Sequence, residues 1–306
     1  MQGDQLRLRV TSKQINRRQF LRYAAGGVAL GIGADALLWE PYHPKLVRVS
    51  VSLPHWPREL DGFTITQLSD LHYDPLFGIE PIKAAVRRAN QEPSDLVVLT
   101  GDFVTLPALE TRAARLRAAE DGAPCGQLLK QLKSRYGLYA CLGNHDEFSY
   151  ADIVAEGLQG EGIEVLRNRA IPIVHQGTRF FLGGVNDVLG GDADLDQVLR
   201  GISPNDRMIL LAHEPDFADR AARYPIDLQL SGHSHGGQIR FPLVGALYFP
   251  KLGKKYPKGL REVGNLTLYT NVGIGTIHIP ARWNCPPEVT RITLMCGAGT
   301  KGKGAT

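Results

Sequence analysis

Short apolar runs in this chain repeatedly stop on a side chain able to hold a cation, and that recurrence restricts the fold more than any other feature. The runs at residues 63–68, 96–99, 137–142, 208–212 and 228–230 lead into Asp70, Asp102, Asn144, His213 and His233. Each is too short for an ordinary helix and reads as a strand. The run Leu96-Val97-Val98-Leu99 has no polar break, as befits a strand covered on both faces. Polar groups just beyond several such strands collect at the carboxyl edge of a sheet, where α/β proteins gather their binding residues. A core histidine or a surface aspartate has no reason to recur at that edge.

The intervening segments fit an α/β chain. Helices are expected at residues 81–90, through much of 108–134 with a break at Asp121-Gly122-Ala123-Pro124, and at 150–158 and 194–199. Further strands are expected at 46–53, 163–166, 171–175, 180–185, 266–270 and 289–295. A chain of 306 residues can bury a sizeable core without disulfides, and one large domain is expected. The net charge of +4 belongs to residues 1–36, which hold six basic and two acidic residues. The remainder is balanced, so bulk charge gives no support to a nucleic-acid partner. Cys125, Cys141, Cys285 and Cys296 are scattered and include no Cys-x-x-Cys pair, which speaks against a disulfide scaffold and against thiol redox chemistry. Cys141, inside an apolar run, reads as a buried thiol.

The amino terminus follows a separate logic. Asn16-Arg17-Arg18-Gln19-Phe20-Leu21-Arg22 precedes a weakly hydrophobic, Gly- and Ala-rich run at 23–38, the pattern of a twin-arginine export signal. Ala34-Asp35-Ala36 offers a small-x-small processing site; an uncleaved tether is the alternative. Residues 1–44 therefore read as leader and linker, 45–296 as the working domain, and 297–306 as a mobile tail. The expected setting is extracytoplasmic, with the twin-arginine machinery as a transient partner and attachment to membrane or wall as a further expectation.

Asp70 and His72 are two residues apart, so in extended backbone they point the same way, and a turn at Gly101 would bring Asp102 beside them. Carboxylate and imidazole together suit borderline divalent ions such as zinc, manganese or iron. Asn144, His213 and His233 can form a second pocket with Asp102 between the two, and His235 joins the first if the loop at 232–235 turns between the ions.

The ordered set Asp70-Leu71-His72, Gly101-Asp102, Gly143-Asn144-His145-Asp146, His213 and Gly232-His233-Ser234-His235 resembles the calcineurin-like metallophosphoesterase superfamily over residues 46–296. The extension Gly236-Gly237-Gln238-Ile239, with Pro242 beyond, is similar to its exported branch. The resemblance implies a four-layer α/β/β/α sandwich with two central mixed β-sheets. It also implies one metal at Asp70, His72, Asp102 and His235 and another at Asp102, Asn144, His213 and His233. A bridging hydroxide would attack a phosphomonoester or phosphodiester, with His145 protonating the leaving oxygen and Asp146 orienting that imidazole. A metal-stabilised binding protein without turnover is the alternative of a different class.

Two late segments bear on the substrate. Residues 241–249 are apolar and are followed by Lys251, Lys254, Lys255, Lys258 and Arg261, a pairing suited to a lipid phosphate or an anionic membrane. Residues 271–276 form a glycine-bearing loop after a strand, and Arg282 beyond it is a candidate phosphate ligand.

Overall fold

The computed structural model describes residues 16–297, so residues 298–306 of the expected tail lie outside the described residues. Helix α1 (Arg17–Ala34) opens on a reciprocal cap: Gln19 N–H donates to the Asn16 side chain, and the Gln19 side chain accepts from Asn16 N–H. A π turn (Asp35–Trp39) and a 3₁₀ turn (Glu40–Tyr42) continue it into the domain. Then follow β1 (Lys45–Leu53), β2 (Thr64–Leu68), α2 (Ile79–Ala89), β3 (Leu96–Thr100), α3 (Arg112–Glu120), α4 (Gly122–Leu129), β4 (Leu138–Cys141), α5 (Asn144–Phe148), α6 (Ala151–Gly160) and β5 (Ile163–Val165). The second half runs β6 (Arg169–His175), β7 (Thr178–Gly184), α7 (Leu195–Val198), β8 (Met208–Leu211), α8 (Ala218–Ala221), β9 (Leu228–Ser231), β10 (Arg240–Phe241), β11 (Gly245–Ala246), β12 (Gly259–Val263), β13 (Leu266–Thr270) and β14 (Glu288–Cys296).

Two six-stranded mixed sheets form the centre, in the orders β1-β14-β2-β3-β4-β5 and β12-β13-β9-β8-β7-β6. β2 through β5 are parallel and β14 enters antiparallel to β2; in the other sheet β13, β9, β8 and β7 are parallel, flanked by antiparallel β12 and β6. The two-residue period of a strand explains the layers. In β3, Leu96 and Val98 join the core between the sheets, whereas Val97 and Leu99 face Ile82, Val86 and Leu158 of the outer helices. In β8, Ile209 and Leu211 face the same inner core, while Met208 and Leu210 meet Leu195, Val198 and Ala218 on the far side. Three apolar layers thus separate four layers of structure, the α/β/β/α sandwich that the motif order implied. Each fully buried Leu, Ile or Phe contributes at most roughly 1.5–3 kcal/mol by area.

Helix α2 shows how these helices are specified. Ile82, Ala85, Val86 and Ala89 form one buried stripe, Glu80 lies in the first turn, and Arg87 and Arg88 lie in the last. The expected break at residues 121–124 is a joint: α3 ends at Glu120 and α4 starts at Gly122. The linker expected before residue 45 is part of the fold, because Ala36 and Pro41 are buried and the Glu40 carboxylate accepts from the N–H groups of Asn284 and Cys285. The Ala34-Asp35-Ala36 segment is helical. All four cysteines are free, and Cys141 is buried as expected.

Candidate metal centre

Where β2, β3, β8 and β9 end, the backbone turns sharply to aim side chains into one space. Asp70, His72, Asp102, His233 and His235 have φ between 44° and 67°, the left-handed region that costs a non-glycine residue roughly 1 kcal/mol or more. Ladder bonds hold these turns in place. Asp70 N–H donates to Gly101 C=O at 2.9 Å, His72 N–H to Asp102 C=O at 3.0 Å, and Gly275 N–H to Asp70 C=O at 2.7 Å. His233 N–H donates to the Asp70 carboxylate at 3.0 Å, tying the two sheets together at the site.

The side chains assemble into two groups joined by a third, in which His145 stands beside His72 and Asp102. Asp70, His72 and His235 form one, with His235 Nε2 3.3 Å from Asp70 Oδ1 and 3.0 Å from His72 Nε2. Asp102, His213 and His233 form the other, with His213 Nε2 3.1 Å from Asp102 Oδ2. The same Asp102 oxygen is 3.6 Å from His72 Nε2, so this carboxylate stands between the groups. Asn144 Oδ1 is buried without a hydrogen-bond partner, and Asn144 lines the cleft beside Asp102 and His233. An orphaned amide oxygen, three carboxylate and imidazole pairings and a shared aspartate fit divalent cations of the borderline class.

Hydrogen bonds behind the rings decide which nitrogen faces inward. His213 Nδ1 donates to Thr100 C=O at 2.6 Å and His233 Nε2 donates to Lys251 C=O at 2.8 Å, leaving the opposite nitrogens for the site. His145 is arranged in reverse. Its Nδ1 accepts from Leu106 N–H at 2.9 Å, so the neutral ring carries its proton on the other nitrogen. His145 is thereby a donor beside a group of acceptors.

Burial governs the protonation states. It pushes His72 down to about 3 and His233 down to about 4, keeping both imidazoles neutral and available to a cation. Burial raises Asp70 to about 6. For Asp102 the burial penalty is outweighed by His213, His145 and His72, which hold it well below the usual carboxylate range; His213 rises in return beside that carboxylate.

All seven expected ligands converge, but two other assignments are corrected. Asp146 does not orient His145: its carboxylate accepts from Phe103, Val104 and Gly143 N–H at 2.8, 3.1 and 2.9 Å. Arg282 does not reach the cleft. It is fully buried and donates to the carbonyls of Val272, Gly275 and Cys285, with Nη2 3.4 Å behind His235 Nδ1. Among the cleft residues, His278, Leu189 and Ile277 are not singled out from sequence, whereas Phe241 and Leu247 fall in the apolar segment expected at 241–249.

A cleft of about 470 Å³ is lined by Asp102, Asn144, His145, His233 and His235 together with the apolar Leu189, Ile239, Phe241, Leu247 and Ile277. Residues 63–237 match the family described as calcineurin-like phosphoesterase. The chain is 33% identical to the metallophosphoesterase YkuE of Bacillus subtilis (strain 168), with 92% of this chain and 98% of that protein covered. It is 32% identical to phosphodiesterase YaeI of Escherichia coli (strain K12), covering 92% and 100%. Identity to the UDP-2,3-diacylglucosamine pyrophosphatase LpxG of Chlamydia trachomatis is 26%, covering 84% and 93%.

Proposed function

The chain belongs to the calcineurin-like phosphoesterase family, a metal-dependent phosphatase or phosphodiesterase, and from that premise we propose that it hydrolyses a phosphoester joined to an apolar group, using two divalent ions. Asp70, His72, Asp102 and His235 hold one ion; Asp102, Asn144, His213 and His233 hold the other. When bound, such ions supply Lewis acidity and an activated water for in-line attack on phosphorus. The protein's part is positional. Thr100 and Lys251 carbonyls keep the lone pairs of His213 and His233 directed at the site. The Leu106 amide keeps the His145 proton directed there instead, ready for the leaving oxygen.

The observation that carries the substrate class is the cleft lining, where the apolar Leu189, Ile239, Phe241, Leu247 and Ile277 share one cavity with His145. A small soluble ester leaves that wall wet; an acyl-bearing one covers it. The diacylated substrate in the name of LpxG supports the same reading. The exposed apolar α1, with Arg17, Arg18 and Arg22 at its start, supports delivery by the twin-arginine route to the far side of a membrane. The test is a panel of phosphoesters with graded alkyl length. We expect kcat/KM to climb with chain length, and a flat profile would remove the apolar-substrate reading.

A further inference from the structure

The β10–β11 hairpin is built to be out in the open and apolar at the same time. At its tip Leu243 is 108% exposed and Val244 70%, and Leu243 takes φ 66°, a conformation usually left to Gly, Asn or Asp. Neither side chain lines the cleft, although Phe241 and Leu247, on the two sides of the same turn, do. The hairpin therefore has one end in the site wall and the other in solvent. Nothing in folding rewards that tip, since its apolar area stays in water.

A continuous set of bonds joins this hairpin to the turns that continue α1. Arg240 N–H donates to Trp283 C=O at 2.9 Å, Trp283 N–H to Gln238 C=O at 3.1 Å, and the Phe241 ring meets Trp283 edge-on at 5.5 Å. The next residues, Asn284 and Cys285, donate to Glu40, and Arg282 N–H donates to Ala36 C=O at 2.9 Å. The helical stretch Arg17–Tyr42 is 26 residues long and apolar enough to cross a bilayer, and α1 buries none of its side chains against the domain. Around its exit lie exposed Leu37, Leu38 and Trp39. Lys251, Lys254 and Lys258, which follow the hairpin, are exposed and pair with no carboxylate among the described residues, whereas Lys255 is tied to Asp219.

We propose that the β10–β11 tip and these three lysines seat the domain on an anionic bilayer entered by α1, so that the cleft opens into the headgroup layer. The apolar tip enters the interface, Trp39 and Tyr248 lie at headgroup depth, and the lysines meet lipid phosphates. This deepens the proposed function and rests on it only for the turnover measurement below.

The full chain carries the test. Leu243→Cys and Asn265→Cys, each in a Cys296→Ser background, are labelled with an environment-sensitive fluorophore and reconstituted into brominated vesicles. Asn265 is an exposed turn residue at the opposite edge of the sheets. In mixed phosphatidylcholine–phosphatidylglycerol vesicles the probe at 243 should be quenched several-fold more than that at 265, and less so in phosphatidylcholine alone. In parallel, the double change Leu243→Glu and Val244→Glu should slow turnover of a vesicle-embedded long-chain phosphodiester roughly tenfold while leaving a soluble aryl phosphodiester unaffected. Equal quenching at the two positions, or equal quenching in both vesicles, overturns the proposal. So does a double variant that treats both esters alike. The quenching measurement reads the surface even if no ester is turned over, so failure of the enzymatic reading shows separately.

Discussion

At the scale of single residues, function divides on which side of an imidazole meets the backbone. His213 and His233 give their outer N–H to carbonyls, whereas His145 takes an N–H from Leu106. Replacing His145 by Ala should therefore leave metal content intact, because Asp102 keeps its bond from the His145 backbone N–H at 2.9 Å. Turnover should fall by about 10²- to 10⁴-fold, most for esters with poor leaving groups. Metal analysis together with rates across a leaving-group series checks this; parallel loss of metal would make His145 a ligand. Arg282 gives the opposite contrast. A phosphate-binding arginine lost to Met would raise KM in a stable protein, but this one satisfies three buried carbonyls, and each carbonyl left without a donor costs roughly 1–3 kcal/mol. Arg282→Met should thus lower the unfolding free energy, read in urea, with KM for a soluble ester little changed.

At the scale of elements, the strand-to-loop junction is the working unit, and glycine lets two junctions touch. A side chain at Gly143 would bring its Cβ to 2.7 Å from Asp102 N and 2.8 Å from His213 Nε2. Gly143→Ala removes no ligand, yet it should weaken metal binding by about 10- to 100-fold, the usual cost of disturbing what positions a ligand, with circular dichroism unchanged. Calorimetric titration with the metal measures it, and wild-type affinity would mean that the loops can part freely. These junctions also mark what the sequence made legible. Apolar runs ending on Asp, Asn or His reveal the candidate ligands because a side chain carries the signal. The groups that orient them, Thr100 and Lys251 C=O and Leu106 N–H, are backbone atoms that any residue would supply, and no motif announces them. Asp146 cannot orient His145 for a geometric reason: on α5 it directly follows His145, and consecutive helical residues do not face each other. Arg282 has the sequence context of a phosphate ligand because it follows a glycine-bearing loop, whereas that loop's carbonyls are what the guanidinium binds. The short β12 carries no strand signal in the sequence, since Leu260-Arg261-Glu262 lies on an exposed edge with little apolar content.

At the scale of the molecule, the candidate centre lies on the seam between two sheets. Asp70, His72, Asp102 and Asn144 follow β2, β3 and β4 of one sheet; His213, His233 and His235 follow β8 and β9 of the other. Ions bound there would link the halves, but not alone. Gln67 Nε2 donates to Ser231 C=O at 2.9 Å across the seam, and the apolar core from Ile65 and Val98 to Leu211 and Leu230 lies between the sheets. Chelation should accordingly lower the melting temperature without unfolding the chain at room temperature. Two ions held at about a hundred times their Kd contribute roughly 5 kcal/mol by mass action, equivalent to about 10–20 °C for a domain of this size. Asp102→Asn separates this linkage from ordinary destabilisation, because the exchange keeps the shape and removes the one charge both groups share. The variant should bind no more than one ion, and chelator should shift its melting temperature by less than half the wild-type amount. Calorimetry with and without chelator, paired with metal analysis, gives both numbers. Two ions and an undiminished shift in Asp102→Asn would show that the two groups do not depend on a common carboxylate, and the seam would then owe its stability to the apolar core and the Gln67 and His233 bonds alone.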